Sequence, residues 1–270
     1  MSIGGRVCRR AIIYTTVIAA VFLFATLYTS ADTITVDGGG GGDYTTIQGA
    51  VDNANPGDTI SIQPGTYIED VTLKGQTTIS VTNLTLIGAD PANRPVVRGL
   101  FGGQHDGAAP YPRWQDVTLE NLILENTGQV FEGTKGGGDP IEFAGVTFRN
   151  VKFQLLAAAA ANRYMVTPDL EGNTLILTGD GLTFEGCQFD DQGYDSQTGM
   201  LGWRGTSGSA GMVLEGCTFN SSYPPGNYTF RVDSWDQTLT FDIRNNTFDG
   251  VDAGILLAGD GPDQGQFRDN

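Results

Sequence analysis

Two arginines and an aspartate, spaced by two along short alternating runs, are the residues of this 270-residue chain best suited to chemistry. In TFRVDSW (229–235), period-two alternation that points Phe230 and Val232 inward turns Arg231 and Asp233 to solvent. MLGWRG (200–205) offers Arg204 on the preceding repeat, and Trp203 and Trp235 offer flat aromatic surfaces. Guanidinium groups pair with carboxylates, aromatic faces lie against sugar rings, and an acid can accept a hydroxyl hydrogen bond or take a proton. The set suits an acidic glycan. Ordinary solvated surface has the same composition, and that reading stands beside it.

The densest acidic cluster is Asp190, Asp191 and Asp195, within DDQGYDSQTG (190–199). Clustered carboxylates can hold Ca2+ through oxygen ligands, but this spacing matches no known calcium loop, and a solvated acidic loop is the alternative. His105 is the only histidine, and GGQHDGAAP places no nucleophile for a Ser-His-Asp triad beside it. A histidine- or cysteine-based metal site is excluded by the same shortage.

What would position these groups is an eight-residue pattern: apolar, any, apolar, any, Asn or Gly, small or apolar, any, apolar. Its copies are ISVTNLTL (79–86), VTLENLIL (117–124), IEFAGVTF (141–148), LTFEGCQF (182–189), MVLEGCTF (212–219) and FDIRNNTF (241–248). The fifth residue is Asn83, Asn121, Gly145, Gly186, Gly216 or Asn245, types that accept positive φ, so each copy is expected to turn a corner between two short strands. Read as one edge of a coiled parallel sheet, the copies start 38, 24, 41, 30 and 29 residues apart. Such spacing predicts a β-solenoid, with the longer intervals carrying insertions. The runs TLILT (174–178), MLGWRG, TFRVDSW and GILLAGD (254–260) are expected to stack as its third sheet. At the other end, YTTIQGAVDNA (44–54) spaces Ile47, Ala50, Val51 and Ala54 as one helix face behind a Thr45/Thr46 cap, fit to cover the first coil.

Residues 1–31 stand apart from this domain. Arg6, Arg9 and Arg10 precede an apolar stretch from Ala11 to about Leu27 and then Tyr-Thr-Ser-Ala, the layout of an export signal cleaved after Ala31. The alternative is an uncleaved membrane anchor through residues 11–27. Either places residues 32–270 outside the cytoplasm. Removing three basic residues leaves twelve against thirty-one acids, or −19, which argues against nucleic acid or anionic lipid as a partner. A halophilic source and an ordinary acidic secreted surface both fit that charge. Cys187 and Cys217 hold the same place in neighbouring copies and are read as stacked buried thiols, a disulfide being awkward between in-register parallel strands. Asn-X-Ser/Thr sequons fall at Asn83, Asn220, Asn227 and Asn245. Asn220 and Asn227 are the candidate glycosylation sites, because a tight corner at Asn83 or Asn245 is expected to exclude a glycan.

VDGGGGGDYTTIQGAVDNANPGDTISIQPGTYIEDVTL (36–73) followed by NLTLIG (83–88) resembles the opening of pectinesterases and related proteins of the pectin lyase-like superfamily. The resemblance implies an all-β, right-handed parallel β-helix of three sheets, with the active cleft on the third sheet and acidic polysaccharides as the commonest substrates. It carries no catalytic residue across. Pectinesterase aspartates stand in Gln-Asp-Thr and Asp-Phe-Ile-Phe-Gly contexts, which are absent here, and DDQGYDSQTG has the wrong order for the first. Arg94-Pro95-Val96-Val97-Arg98 likewise lacks the first spacer of the Arg-x-Pro-x-x-Arg segment of pectate lyases.

The expectation is therefore an exported or cell-surface β-helix that binds polysaccharide or forms part of an envelope. The alternatives are a lyase- or esterase-type enzyme with a diverged site at Arg204, Arg231 and Asp233, and a purely structural module. Phe267-Arg268-Asp269-Asn270 echoes Ile243-Arg244-Asn245-Asn246 one coil later, which predicts a truncated domain or a further chain covering the last coil.

Overall fold

The computed structural model describes residues 30–74, 81–104, 113–132, 141–157, 165–167, 175–191, 200–205, 211–220, 230–234, 240–249, 255–259 and 264–270. The backbone divides into Met1–Ala31 and Asp32–Asn270. Residues 11–27 lie outside the described residues, among which no helix is long and apolar enough to cross a membrane.

In the second unit every strand ladder is parallel; the strands stack in three main columns, A, B and C, and a shorter fourth ladder of Val81–Thr82, Arg113–Gln115 and the first halves of Ile141–Arg149 and Leu175–Glu185 runs just before column A. Column A contains Thr33–Val36, Thr59–Ile62, Thr85–Gly88, Thr118–Glu120, the second halves of Ile141–Arg149 and Leu175–Glu185, Met212–Glu215, Thr240–Arg244 and Gln264–Arg268. Column B contains Thr66–Ile68, Val96–Arg98, Ile123–Asn126, Lys152–Leu155, Gln188–Asp190, Thr218–Asn220 and Thr247–Asp249. Column C contains Val71–Lys74, Phe101–Gln104, Phe131–Glu132, Val166–Thr167, Leu201–Gly205, Phe230–Ser234 and Ile255–Gly259. The chain visits A, B and C in turn, which makes the domain a parallel β-solenoid.

The corners form two series, and this corrects the single edge expected from the eight-residue pattern. Gly57, Asn83, Asp116 and Gly145 turn the chain into column A. Asn121, Asn150, Gly186, Gly216, Asn245 and Asp269 turn it out of column A, toward column B where a strand of B follows. All ten have positive φ, from 50 to 97°. Within each series the corner N–H donates to the carbonyl just before the next corner, as in Asn83 to Gln115 O, Asn121 to Arg149 O and Gly186 to Glu215 O. The irregular intervals arose because Asn83 and Gly145 belong to one series and the other four copies to the second. VTFRNVKF (146–153), with its corner at Asn150, is a further copy hidden by overlap with IEFAGVTF.

In-register stacking places like residues on like. Phe153, Phe189, Phe219 and Phe248 stack along column B with centroids 4.6–5.0 Å apart, and Phe148 lies on Phe184 at 4.9 Å in column A. On the outer side of column A, Thr33, Thr59, Thr85, Thr118, Thr147 and Thr183 share one row, continued by Val213. Cys187 and Cys217 are buried free thiols, each bonded to a carbonyl of the coil before, Phe148 O at 3.3 Å and Phe184 O at 3.4 Å. Burial pushes the Cys187 thiol well above the usual range. Asn246 continues this column, its amide reaching Leu214 O at 3.2 Å.

Helix α1 (Ile47–Asn53) packs Ile47 and Ala50 into the core. Thr46 is its N-cap, accepting from Gly49 N, and the Glu69 carboxylate accepts from Ile47 N and Gln48 N at 2.9 and 3.0 Å. TLILT meets the third sheet only at Leu175, which pairs with Gly205, and otherwise does not stack in it as expected. It opens the long strand Leu175–Glu185, which stacks on Ile141–Arg149, and Val166–Thr167 takes its place in column C. Gly179 and Gly181, both at positive φ, carry that strand around the corner without a break.

Candidate functional site

Column C brings together the residues singled out for chemistry. Leu201–Gly205 and Phe230–Ser234 pair along their whole length, with Leu201 opposite Phe230, Gly202 opposite Arg231, Trp203 opposite Val232 and Arg204 opposite Asp233. Leu201 is fully buried. In the backbone register Gly202 and Arg204 alternate with Leu201, and Arg231 and Asp233 stand opposite them. The next strand contributes Leu256 beside Arg231 and Ala258 beside Asp233. Arg204 and Asp233 are therefore direct cross-strand neighbours of opposite charge, whereas Arg231 stands between Gly202 and Leu256. Trp235 lies outside the described residues.

Toward the N-terminus of column C, Thr167, Glu132, Gly102 and Thr72 stand opposite one another in register. Glu132 is an acid the sequence reading missed. It follows core residue Phe131 and so belongs to the outer face, yet it is only 6% exposed. A Cβ on Gly102 would come 2.0 Å from the Glu132 carbonyl oxygen, so the row floor beside Glu132 is bare backbone. The signal in the sequence was the two-residue alternation Phe131-Glu132, too short to stand out.

The outer faces of columns A and B carry charge that is satisfied internally. Arg149 bridges Glu120 and Glu185 at 3.2 and 2.9 Å, and these hydrogen bonds, Glu185 first, hold its guanidinium above its ordinary pKa. Arg244 joins Glu215 at 2.7 Å and also Asp242, which Arg268 meets at 2.8 Å. In column B, Arg98 meets Glu125 at 2.6 Å and Lys152 meets Asp190 at 3.0 Å. Those cations already have their anions.

The proposed Ca2+ ligands are set differently. Asp190 is on the outer face with its carboxylate on Lys152, while Asp191 is 3% exposed and Asp195 lies outside the described residues. Among the described residues no group of three potential ligands converges on a metal position. Asn220 ends its strand exposed, level with Asp190 and Asp249, and Asn227 and His105 lie outside the described residues.

No protein-family model and no curated protein matches the chain. Among solved structures it is similar to a pectin methylesterase from carrot, at 12% identity and a TM-score of 0.46, over 83% of this chain and 85% of that one. It is also similar to the pectin methylesterase of Aspergillus niger in deglycosylated form, at 15% identity and a TM-score of 0.36, over 88% and 87% of the two chains. The solenoid stands on this chain's own ladders, and no residue role is taken from either enzyme.

Proposed function

We propose that this is an exported or cell-surface right-handed β-helix, closed at its first coil by α1, whose outer column C face engages an acidic polysaccharide. The observation that carries the reading is the pairing of Leu201–Gly205 with Phe230–Ser234. In that register Arg231 is paired with two uncharged residues, Gly202 and Leu256, two residues along from the Arg204–Asp233 pair, and the reading takes these charged groups to face solvent. In a chain of formal charge −16, a cation so placed suits a uronate carboxylate, with Asp233 accepting from sugar hydroxyls. Strand-to-strand spacing of about 4.8 Å repeats this outer surface along the solenoid axis, as a polymer lying along it requires.

The test is titration of oligogalacturonate into wild type, Arg231→Ala and Asp233→Ala, with melting curves confirming that each variant folds. Both variants should bind at least about tenfold more weakly, a loss of roughly 1.4 kcal/mol. Unchanged affinity in both removes this face from consideration. Turnover by wild type that Asp233→Ala abolishes while binding persists would instead identify a carbohydrate-active enzyme.

A further inference from the structure

The corner asparagines divide into two kinds. Asn121 is buried and Asn150 half-buried, and their side chains bond to each other at 2.7 Å. Neither begins a sequon, since Leu122-Ile123 and Val151-Lys152 follow them. Asn83 and Asn245, at φ 51 and 56°, are exposed, and each enters the corner ladder through its backbone N–H; among the described residues neither side chain has a hydrogen-bond partner. Both begin sequons, Asn83-Leu84-Thr85 and Asn245-Asn246-Thr247.

Their surroundings are also alike. Along the first corner series Asn83 stands between Gly57 and Asp116, and along the second Asn245 stands between Gly216 and Asp269. In each case the coil on one side has no side chain and the coil on the other has a short, exposed acid. A corner in left-handed conformation sits on the ridge between two sheets, so a substituent there leaves without crossing a sheet face. The tight corner leaves the side chain exposed.

We propose that Asn83 and Asn245 are N-glycosylation sites, an inference that rests on the chain being exported. The amide Nδ2 attacks the anomeric carbon of an oligosaccharide carried on a polyprenyl diphosphate. The new C–N bond replaces the bond from that carbon to the diphosphate oxygen. The lipid diphosphate leaves with the electron pair, and the amide proton passes to a base of the transferase. Modification precedes folding, and the corner geometry lets the folded solenoid keep the glycan in solvent.

The experiment expresses residues 32–270 behind a heterologous cleavable signal in secreting yeast, alongside the full chain with its own first 31 residues. Secreted protein is treated with peptide N-glycosidase in heavy-oxygen water, and each asparagine converted to labelled aspartate is mapped by mass spectrometry. Asn83 and Asn245 should carry the label. Thr85→Val and Thr247→Val should each lose one site while keeping the corner asparagine; Val213 already occupies the row of Thr85. Folded, secreted protein with both asparagines unlabelled overturns the proposal, whether or not Asn220 is modified. Retention of the full chain in the cell, with labelled sites in the version behind the heterologous signal, would sink the export reading and leave the sites standing.

Discussion

Asn150 donates its side-chain amide to Oδ1 of Asn121 at 2.7 Å while both residues hold left-handed φ, 50 and 57°. One residue type thus meets two demands at these consecutive corners: a backbone conformation open to few side chains, and a partner for the neighbouring coil. Asn121→Val meets neither and should cost about 1–3 kcal/mol in urea melts. Asn121→Gly keeps the backbone freedom and should lose about 1 kcal/mol with the hydrogen bond. At Gly186 a Cβ would meet nothing within 4 Å, so the cost of Gly186→Val comes from φ alone and Gly186→Asn should be tolerated. Valine variants that melt with wild type would show that these corners carry no strain.

Arg94 couples coils that are not neighbours. It precedes the column B strand Val96–Arg98, yet its Nη1 donates to the Asn150 carbonyl at 2.9 Å and its Nη2 to Gln188 Oε1 at 3.5 Å. The coil of Ile123–Asn126 lies between. Partial burial among neutral acceptors draws the guanidinium below its ordinary pKa. Solenoid stability normally sums nearest-neighbour contacts. Arg94→Ala should therefore cost about 1–2 kcal/mol and speed amide exchange at Lys152 and Gln188 as well as in its own coil. Faster exchange confined to residues 89–98 would show that Arg94 holds only its own loop.

The solenoid was legible because alternation and a tolerated corner residue are local properties that every coil repeats. The number of corner series was not. Asn83 and Asn121 sit in nearly identical octapeptides, and only the strand partners, Gln115 for one and Arg149 for the other, separate them. The same limit governed the candidate site. Alternation in TFRVDSW singled out Arg231 and Asp233, but which coil lies beside them depends on register across insertions of unequal length. Glu132 escaped notice because its strand has two residues, too few to show a period.

Glu215 gives the C-terminal coils an acid-sensitive contact. Its carboxylate accepts from Arg244 Nη2 at 2.7 Å, and that bond holds it below the ordinary value of 4.5. A group with a depressed folded pKa binds fewer protons folded than unfolded, so its contribution is complete above 4.5 and is lost as pH falls through the lower folded value. Glu215→Gln should thus flatten the acid limb of the stability curve below pH 4.5. Because the pair is exposed, molar salt should have a similar effect on wild type. Parallel acid limbs for variant and wild type would mean the contact adds nothing to stability.

At the opposite end, the Gln48 side chain takes the place of a neighbouring strand. Its Oε1 accepts from Thr72 N at 2.6 Å and its Nε2 donates to Thr72 O at 3.2 Å, so one amide satisfies both backbone groups on the free edge of Val71–Lys74. An unpaired edge costs stability and offers a template to another chain. Gln48→Leu keeps a side chain of similar size on the helix, leaves both Thr72 groups without this partner, and should cost about 1–3 kcal/mol. Gln48→Glu can still accept from Thr72 N but cannot donate to Thr72 O, and should fall between. If the amide also shields the edge, Gln48→Leu will sediment as larger species than wild type at equal concentration. Loss of stability without any change in sedimentation would limit Gln48 to a local bond, and unchanged stability would show that water replaces it at no cost.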